Sequence, residues 1–171
     1  MLRKRARSSR APICMRKDPN AILTAPQLEE WGACVTALLQ LNNSAGVESD
    51  RTTAERRVGR AFGWGAQAFW QGHVVDVPPS RKQMESVLRY FRDHLQLKDS
   101  DIAAVVTKFP EILNVSVESR ICQNLKILKY KWKLDGQRLL NVIRQQPEVL
   151  AYDHDCEGDC SGDCPRCWAR F

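Results

Sequence analysis

Lys108-Phe109-Pro110-Glu111-Ile112-Leu113 decides how this chain is read, because its Pro-Glu-apolar-Leu core returns 37 residues later as Pro147-Glu148-Val149-Leu150. The same offset pairs Ile102 with Leu139, Val105 with Val142 and Val106 with Ile143. Further back it pairs Leu88 with Leu125, Phe91 with Leu128, Leu95 with Trp132 and Leu97 with Leu134. Self-similarity at a fixed period is the signature of stacked supersecondary units. Each unit reads as helix, short turn, helix, Pro-Glu-apolar-Leu. The first helices, about 81–95 and 117–132, carry Met84, Val87, Leu88, Phe91 and Ile121, Leu125, Leu128, Trp132 at helical spacing. The second helices, about 99–108 and 136–145, are short. Proline ends each of them, since it has no amide hydrogen to donate and clashes with the preceding turn. The predicted fold is all-α: a short α-solenoid in which no single repeat buries its own face.

Two units fall below the roughly three that a free-standing array needs. Residues 27–77 must therefore act as a helical cap ahead of the repeats at 78–151. Leu28, Trp31, Cys34, Val35, Leu38 and Leu39 recur at helical spacing, with Glu29 and Glu30 in the first turn, where the helix dipole favours negative charge. Asn42, Asn43, Ser44 and Gly46 end this helix. A second helix is predicted over 51–71, with Thr53 as its N-cap and either close packing at its glycines or a break near Gly63. Phe62, Trp64, Phe69 and Trp70 fall within it; they read as core, because no Lys or Arg lies between Ala61 and Ser80 to make a base-stacking groove.

The stretch Lys108-Phe109-Pro110-Glu111-Ile112-Leu113, then Asn124-Leu125 with Leu128, then Pro147-Glu148-Val149-Leu150, resembles the mTERF family of mitochondrial transcription termination factor-like proteins. The resemblance covers about residues 81–151. It implies a superhelix of short helical repeats, organelle targeting, and nucleic-acid binding in transcription, RNA processing or ribosome assembly.

The net charge of +6 is unevenly placed. Residues 1–17 hold seven of the 26 basic side chains and no acid, which leaves 19 basic against 20 acidic residues in the rest. An Arg-rich, acid-free start with Ser8 and Ser9 has the composition of an organellar transit peptide; a nuclear-localisation cluster or a basic arm shares that composition. Pro19 and Pro26 mark 18–26 as a linker. Within 81–151 there are 13 basic and 8 acidic residues, so the middle of the chain is positive between acidic flanks. Lys126, Lys129 and Lys133 stand at i, i+3 and i+7 on the helix predicted over 117–132, with Arg120, Lys131 and Arg138 adding to the field. Such a row suits phosphates; it also suits a solvated helix face.

The tail, 152–171, holds Cys156, Cys160, Cys164 and Cys167 at C-x3-C-x3-C-x2-C spacing. Four thiolates at this spacing can converge on one tetrahedral Zn(II) in a Cys-rich knuckle, which would order a segment too short to have a core. The same ligands serve an iron–sulfur cluster; two disulfides in an oxidising compartment, or plain reduced thiols, are the alternatives. The ending from Asp159 to Trp168 resembles tails of plant and algal chloroplast proteins, which favours chloroplast over mitochondrion. Cys34 and Cys122 sit in helical patterns and read as small packing residues.

No catalytic constellation is present: His73 and His94 have no nucleophile at a meaningful spacing, and Gly63-Trp64-Gly65 lacks the strand that a dinucleotide site requires. No apolar run approaches the roughly 18 residues of a membrane span. The reading is a non-enzymatic organellar protein of gene expression that binds RNA or DNA through its Lys face. The alternative is a structural or assembly subunit docked on a large organellar complex such as a ribosome or photosynthetic assembly.

Overall fold

Thr24 opens the first helix, its amide donating to the Gln27 side chain at 2.9 Å. The computed structural model describes residues 22–64, 69–70 and 77–152. Helix α1 runs Ala25–Ser44, so Ala25 and Pro26 belong to its first turn rather than to the linker. Proline is tolerated there because that amide has no intrahelical partner. Cys34, Val35 and Leu38 are buried, while Leu28, Trp31 and Leu39 pack on the margin of the core. The helix continues through Asn42, Asn43 and Ser44 before the chain turns at Gly46, where φ is 68°.

Helix α2 is Arg51–Ala61, shorter than the predicted 51–71. Its cap is Asp50, which accepts from the Thr53 amide at 2.8 Å; Thr53 is the donor, not the cap. The break falls at Gly63, whose φ of 80° needs a residue without a side chain. A Cβ at Gly59 would lie 3.5 Å from the Trp64 carbonyl oxygen and 3.6 Å from Trp31, an ordinary contact, so this glycine is close-packed without being sterically required. Phe62 and Trp64 are buried, and Phe69 and Trp70 pack against the core, as expected of a packing cluster. The indole N–H groups of Trp64 and Trp70 donate to the carbonyls of Val77 and Ala61 at 2.7 and 3.1 Å.

The repeats are α3 (Arg81–Asp93) with α4 (Asp99–Lys108), and α5 (Cys122–Tyr130) with α6 (Gly136–Gln145). A wider turn, Val117–Ile121, leads directly into α5. Each unit ends in a short 3-10 turn, Pro110–Asn114 and Pro147–Leu150. The 37-residue period holds down to single hydrogen bonds. The amides of Phe109 and Gln146 donate to Val105 and Val142 at 2.9 and 2.8 Å. Those of Leu97 and Leu134 reach back to Phe91 and Leu128, both at 3.0 Å. Gln96 and Lys133 occupy the left-handed region at φ 51° and 57°. Two different sequences therefore close their helices with one backbone geometry.

One apolar core runs from Leu23 to Ala151. Helices α1 and α2 pack together, α1 on α3 and α4, and α2 on the Pro110–Asn114 turn, which gives the short array the cap that it needs. Met84, Val87, Leu88 and Phe91 are buried, as are Ile121, Leu125 and Leu128. Each such side chain contributes roughly 1.5–3 kcal/mol of burial. Trp132 departs from the expected stripe: it is 42% exposed, where its repeat-mate Leu95 is 8%. Both residues stand two places past the end of their helix, at Asp93 and Tyr130, so helix length does not account for the difference. Among the described residues there is no strand, and the fold is all-α. Residues 1–17, the first four residues of the linker (18–21), and residues 153–171 of the Cys-rich tail lie outside the described residues.

Candidate nucleic-acid interface

Helix α5 sets the site. Asn124, Leu125 and Leu128 are buried, which leaves Lys126, Lys129 and Tyr130 on the opposite, exposed arc. Lys131 and Lys133 are also exposed, as is Arg138 in the first turn of α6. Arg120 is half-buried within the wider turn. The row at i, i+3, i+7 is broken in one respect: Lys133 is not on the helix. The chain leaves α5 after Tyr130, and Lys133 takes the left-handed position of the cap that follows. Lys126, Lys129 and Lys133 join no ion pair among the described residues.

The first repeat is an internal control for this charge. Residues 92–101 include two cations, Arg92 and Lys98, and three acids, Asp93, Asp99 and Asp101; residues 129–138, at the same repeat positions, hold four cations and one acid. The net charge thus changes from −1 to +3 on one backbone geometry. Arg92 is held by Asp99 at 2.8 Å. The equivalent of Asp99 is Gly136, so Lys129 lacks the acid that its counterpart has. Asp93 and Asp101 become Tyr130 and Arg138.

Asn124 is a residue that sequence reasoning left without a role. Its side-chain amide donates to the carbonyls of Leu150 and Tyr152 at 2.9 and 2.8 Å, fixing the chain just before the Cys-rich tail. Gln83 does the same in the first unit, donating to the Val115 carbonyl at 2.8 Å. Val115 and Tyr152 are repeat-mates, so the accepted carbonyl is the same in both units. The signal was a polar side chain on an apolar face.

Burial, with the Glu30 carboxylate nearby, pushes the Cys34 thiol up to about 12. Burial and a hydrogen bond to the Cys122 sulfur hold the Tyr90 hydroxyl at about 12. An open groove of about 420 Å³ beside Tyr90 and His94 is lined by charges of both signs, among them Lys82, Arg89, Glu85 and Glu118. It therefore has no preference for an anion. Cys156, Cys160, Cys164 and Cys167 lie outside the described residues.

Two in-register helical units under a two-helix cap define the class, an α-helical repeat protein. The mTERF family profile matches residues 23–158, and the chain belongs to that family. Proteins of this family are typically organellar and nucleic-acid-associated, act in gene expression, and are generally not enzymes. Comparison with curated proteins and with solved structures finds no match. Among the described residues no helix is long and apolar enough to cross a membrane.

Proposed function

We propose that this chain is an organellar protein of gene expression that binds nucleic acid through the cap of its second repeat. Lys126, Lys129, Lys131, Lys133 and Arg138 supply the phosphate contacts, with Arg120 adding to the field. The supporting observation is the change from −1 to +3 between two caps of the same backbone geometry. A cap needs no such charge to close a helix, whereas phosphate binding does. The chloroplast is the proposed organelle, on the resemblance of the Cys-rich ending.

The test is a salt titration of binding to RNA and DNA, using the chain from residue 18 onward so that the basic leader contributes nothing. Affinity falls with salt in proportion to the phosphates neutralised. Lys126→Glu, Lys129→Glu and Lys133→Glu together should abolish binding. Unchanged binding would remove the face from consideration.

A second reading is favoured by the length of the array. Two repeats offer a short concave surface, suited to docking on a large organellar complex as an assembly subunit. Co-migration with such a complex after nuclease treatment would support it.

A further inference from the structure

The cations of the second cap have a counterpart of opposite sign in the same chain. Residues 153–163 hold five acids, Asp153, Asp155, Glu157, Asp159 and Asp163, and no Lys or Arg. The same repeat positions after the first unit, 116–126, hold one acid and two cations. The charge that follows the Pro-Glu turn thus changes from +1 to −5. Residues 126–138 hold five cations and one acid, a net of +4. Two segments of nearly equal and opposite charge are therefore separated by one short helix and one turn.

Elsewhere the surface matches its own charge. Arg51, Arg81, Arg92 and Arg144 each lie 2.6–2.9 Å from a carboxylate. Lys126, Lys129 and Lys133 are exposed and join no ion pair among the described residues. The acidic segment also starts close to them. Asn124 fixes the Tyr152 carbonyl at 2.8 Å on the buried side of α5, and Lys126 and Lys129 stand on the exposed side of that helix. A helix with its side chains is about 10–12 Å across, while eleven residues span up to about 40 Å. The acids therefore reach around α5. One exposed ion pair contributes little, so docking draws on several cations at once and on the tether, whose effective concentration is of millimolar order. The basic leader, 1–17, is the rival occupant by charge. The cap is favoured because its cations stand on the helix against which the acidic segment begins.

We infer that residues 153–163 dock on the cation face formed by Lys126, Lys129 and Lys133, and there compete with nucleic acid as a built-in acidic mimic of a phosphate backbone. The competition rests on the proposed phosphate-binding role of this face; the docking does not.

The experiment uses the full chain at low salt and low protein concentration, so that links form within one molecule. A water-soluble carbodiimide joins lysine amines to carboxylates in contact with them, and peptide mass mapping locates the links. Lys126, Lys129 or Lys133 should be joined to acids of 153–163. The links should vanish at about 1 M salt, where the screening length is roughly 3 Å, and when saturating oligouridylate is added. A parent chain without these links, or with links spread evenly to Lys82, Lys98 and Lys108, would overturn the docking. Links to Lys4 and Lys17 instead would give the acidic segment to the leader and overturn it equally. The second arm measures affinity for fluorescein-labelled oligouridylate after Asp153→Asn, Asp155→Asn, Glu157→Gln, Asp159→Asn and Asp163→Asn together. A face that is covered nine times in ten binds about tenfold more weakly than a free one, so these substitutions should tighten binding by about tenfold. Tighter binding by this variant, with no cap links in the parent, would assign the effect to long-range repulsion and overturn the docking. Cap links that persist while oligouridylate is bound would overturn the competition. If neither chain binds oligouridylate, the phosphate-binding reading and the competition fall together, and the links alone still decide the docking.

Discussion

Arg60 grips Glu111 with both arms of its guanidinium, Nη2 lying 2.9 and 3.1 Å from the two carboxylate oxygens and Nε 3.1 Å from one of them. The pair joins the cap helix α2 to the first Pro-Glu turn across 51 residues of sequence. The Glu111 side chain is 1% exposed and that of Arg60 38%. The partners are therefore unequal. Removing Arg60 strands a buried carboxylate, whereas removing the carboxylate leaves a guanidinium that can turn to water. Arg60→Ala should cost about 2–4 kcal/mol in urea unfolding and Glu111→Gln about 1–2 kcal/mol, below the figure for a fully buried pair because Arg60 is solvated. The reverse order would mean that Glu111 is held by packing rather than by the ion pair.

Gln96 and Lys133 sit in the left-handed region without being glycine. That conformation costs an ordinary residue roughly 1 kcal/mol through its Cβ. Gln96→Gly and Lys133→Gly should each stabilise the fold by about 0.5–1 kcal/mol, read as a raised denaturation midpoint. The two variants should then part company: Lys133→Gly loses a cation from the proposed interface and should bind nucleic acid more weakly, while Gln96→Gly should not.

The repeat was legible because burial and backbone geometry impose the same constraint twice. Pro110 and Pro147 stop α4 and α6 where the sequence places their ends, and the helical stripes supply most of the buried residues. The errors lie where tertiary geometry overrides spacing. A row at i, i+3, i+7 presumes an unbroken helix, but α5 stops at Tyr130 and the left-handed Lys133 lies past it. Trp132 fits the apolar pattern by type, yet it is exposed where its repeat-mate Leu95 is buried. Thr53 passes for a cap by composition, while Asp50, three residues earlier, does the capping. The partnership of Arg60 with Glu111 is set by how the cap meets the first repeat, which no local pattern encodes. The charge contrast between the two caps was present in the sequence and needed only the 37-residue alignment to be applied to the polar positions.

Arg144 ties the second repeat to the first, its Nε and Nη2 donating to the two oxygens of Asp101 at 2.9 and 3.0 Å. The hydrogen bond from Arg144 holds the Asp101 carboxyl below the usual carboxylate range. A depressed folded-state value means that the stabilisation is present above the unfolded value, about 3.9, and is lost as pH falls through the folded one. Asp101→Asn should therefore be less stable than the parent at neutral pH, and the difference should close as pH drops below about 4. Urea midpoints measured across that range check it; a gap independent of pH would assign the effect to packing.

Asn124 holds the carbonyls of buried Leu150 and half-buried Tyr152 near the end of the described chain. Asn124→Ala should cost about 1–3 kcal/mol, because the buried Leu150 carbonyl loses its donor without gaining water. Hydrogen exchange offers a sharper readout than the global midpoint. The amides of Ala151 and Tyr152, which bond the Glu148 carbonyl at 2.9 and 3.1 Å, should lose protection before those of α3. Uniform loss across all helices would mean that Asn124 supports the whole core rather than this turn.

Among the described residues the core extends to Ala151, and Cys156, Cys160, Cys164 and Cys167 follow it in the sequence. A proposed Zn(II) on these thiolates would order the tail. Full-length protein should carry about one zinc per chain, the stoichiometry of a four-thiolate site. Chelation should release that metal and expose four reactive thiols while the far-ultraviolet helix signal stays unchanged. Cys164→Ser with Cys167→Ser should abolish metal uptake and leave nucleic-acid binding by the second cap intact. Iron and sulfide in place of zinc would assign a cluster to the same ligands. Metal-free protein with none of the four thiols reactive would assign disulfides and remove the knuckle.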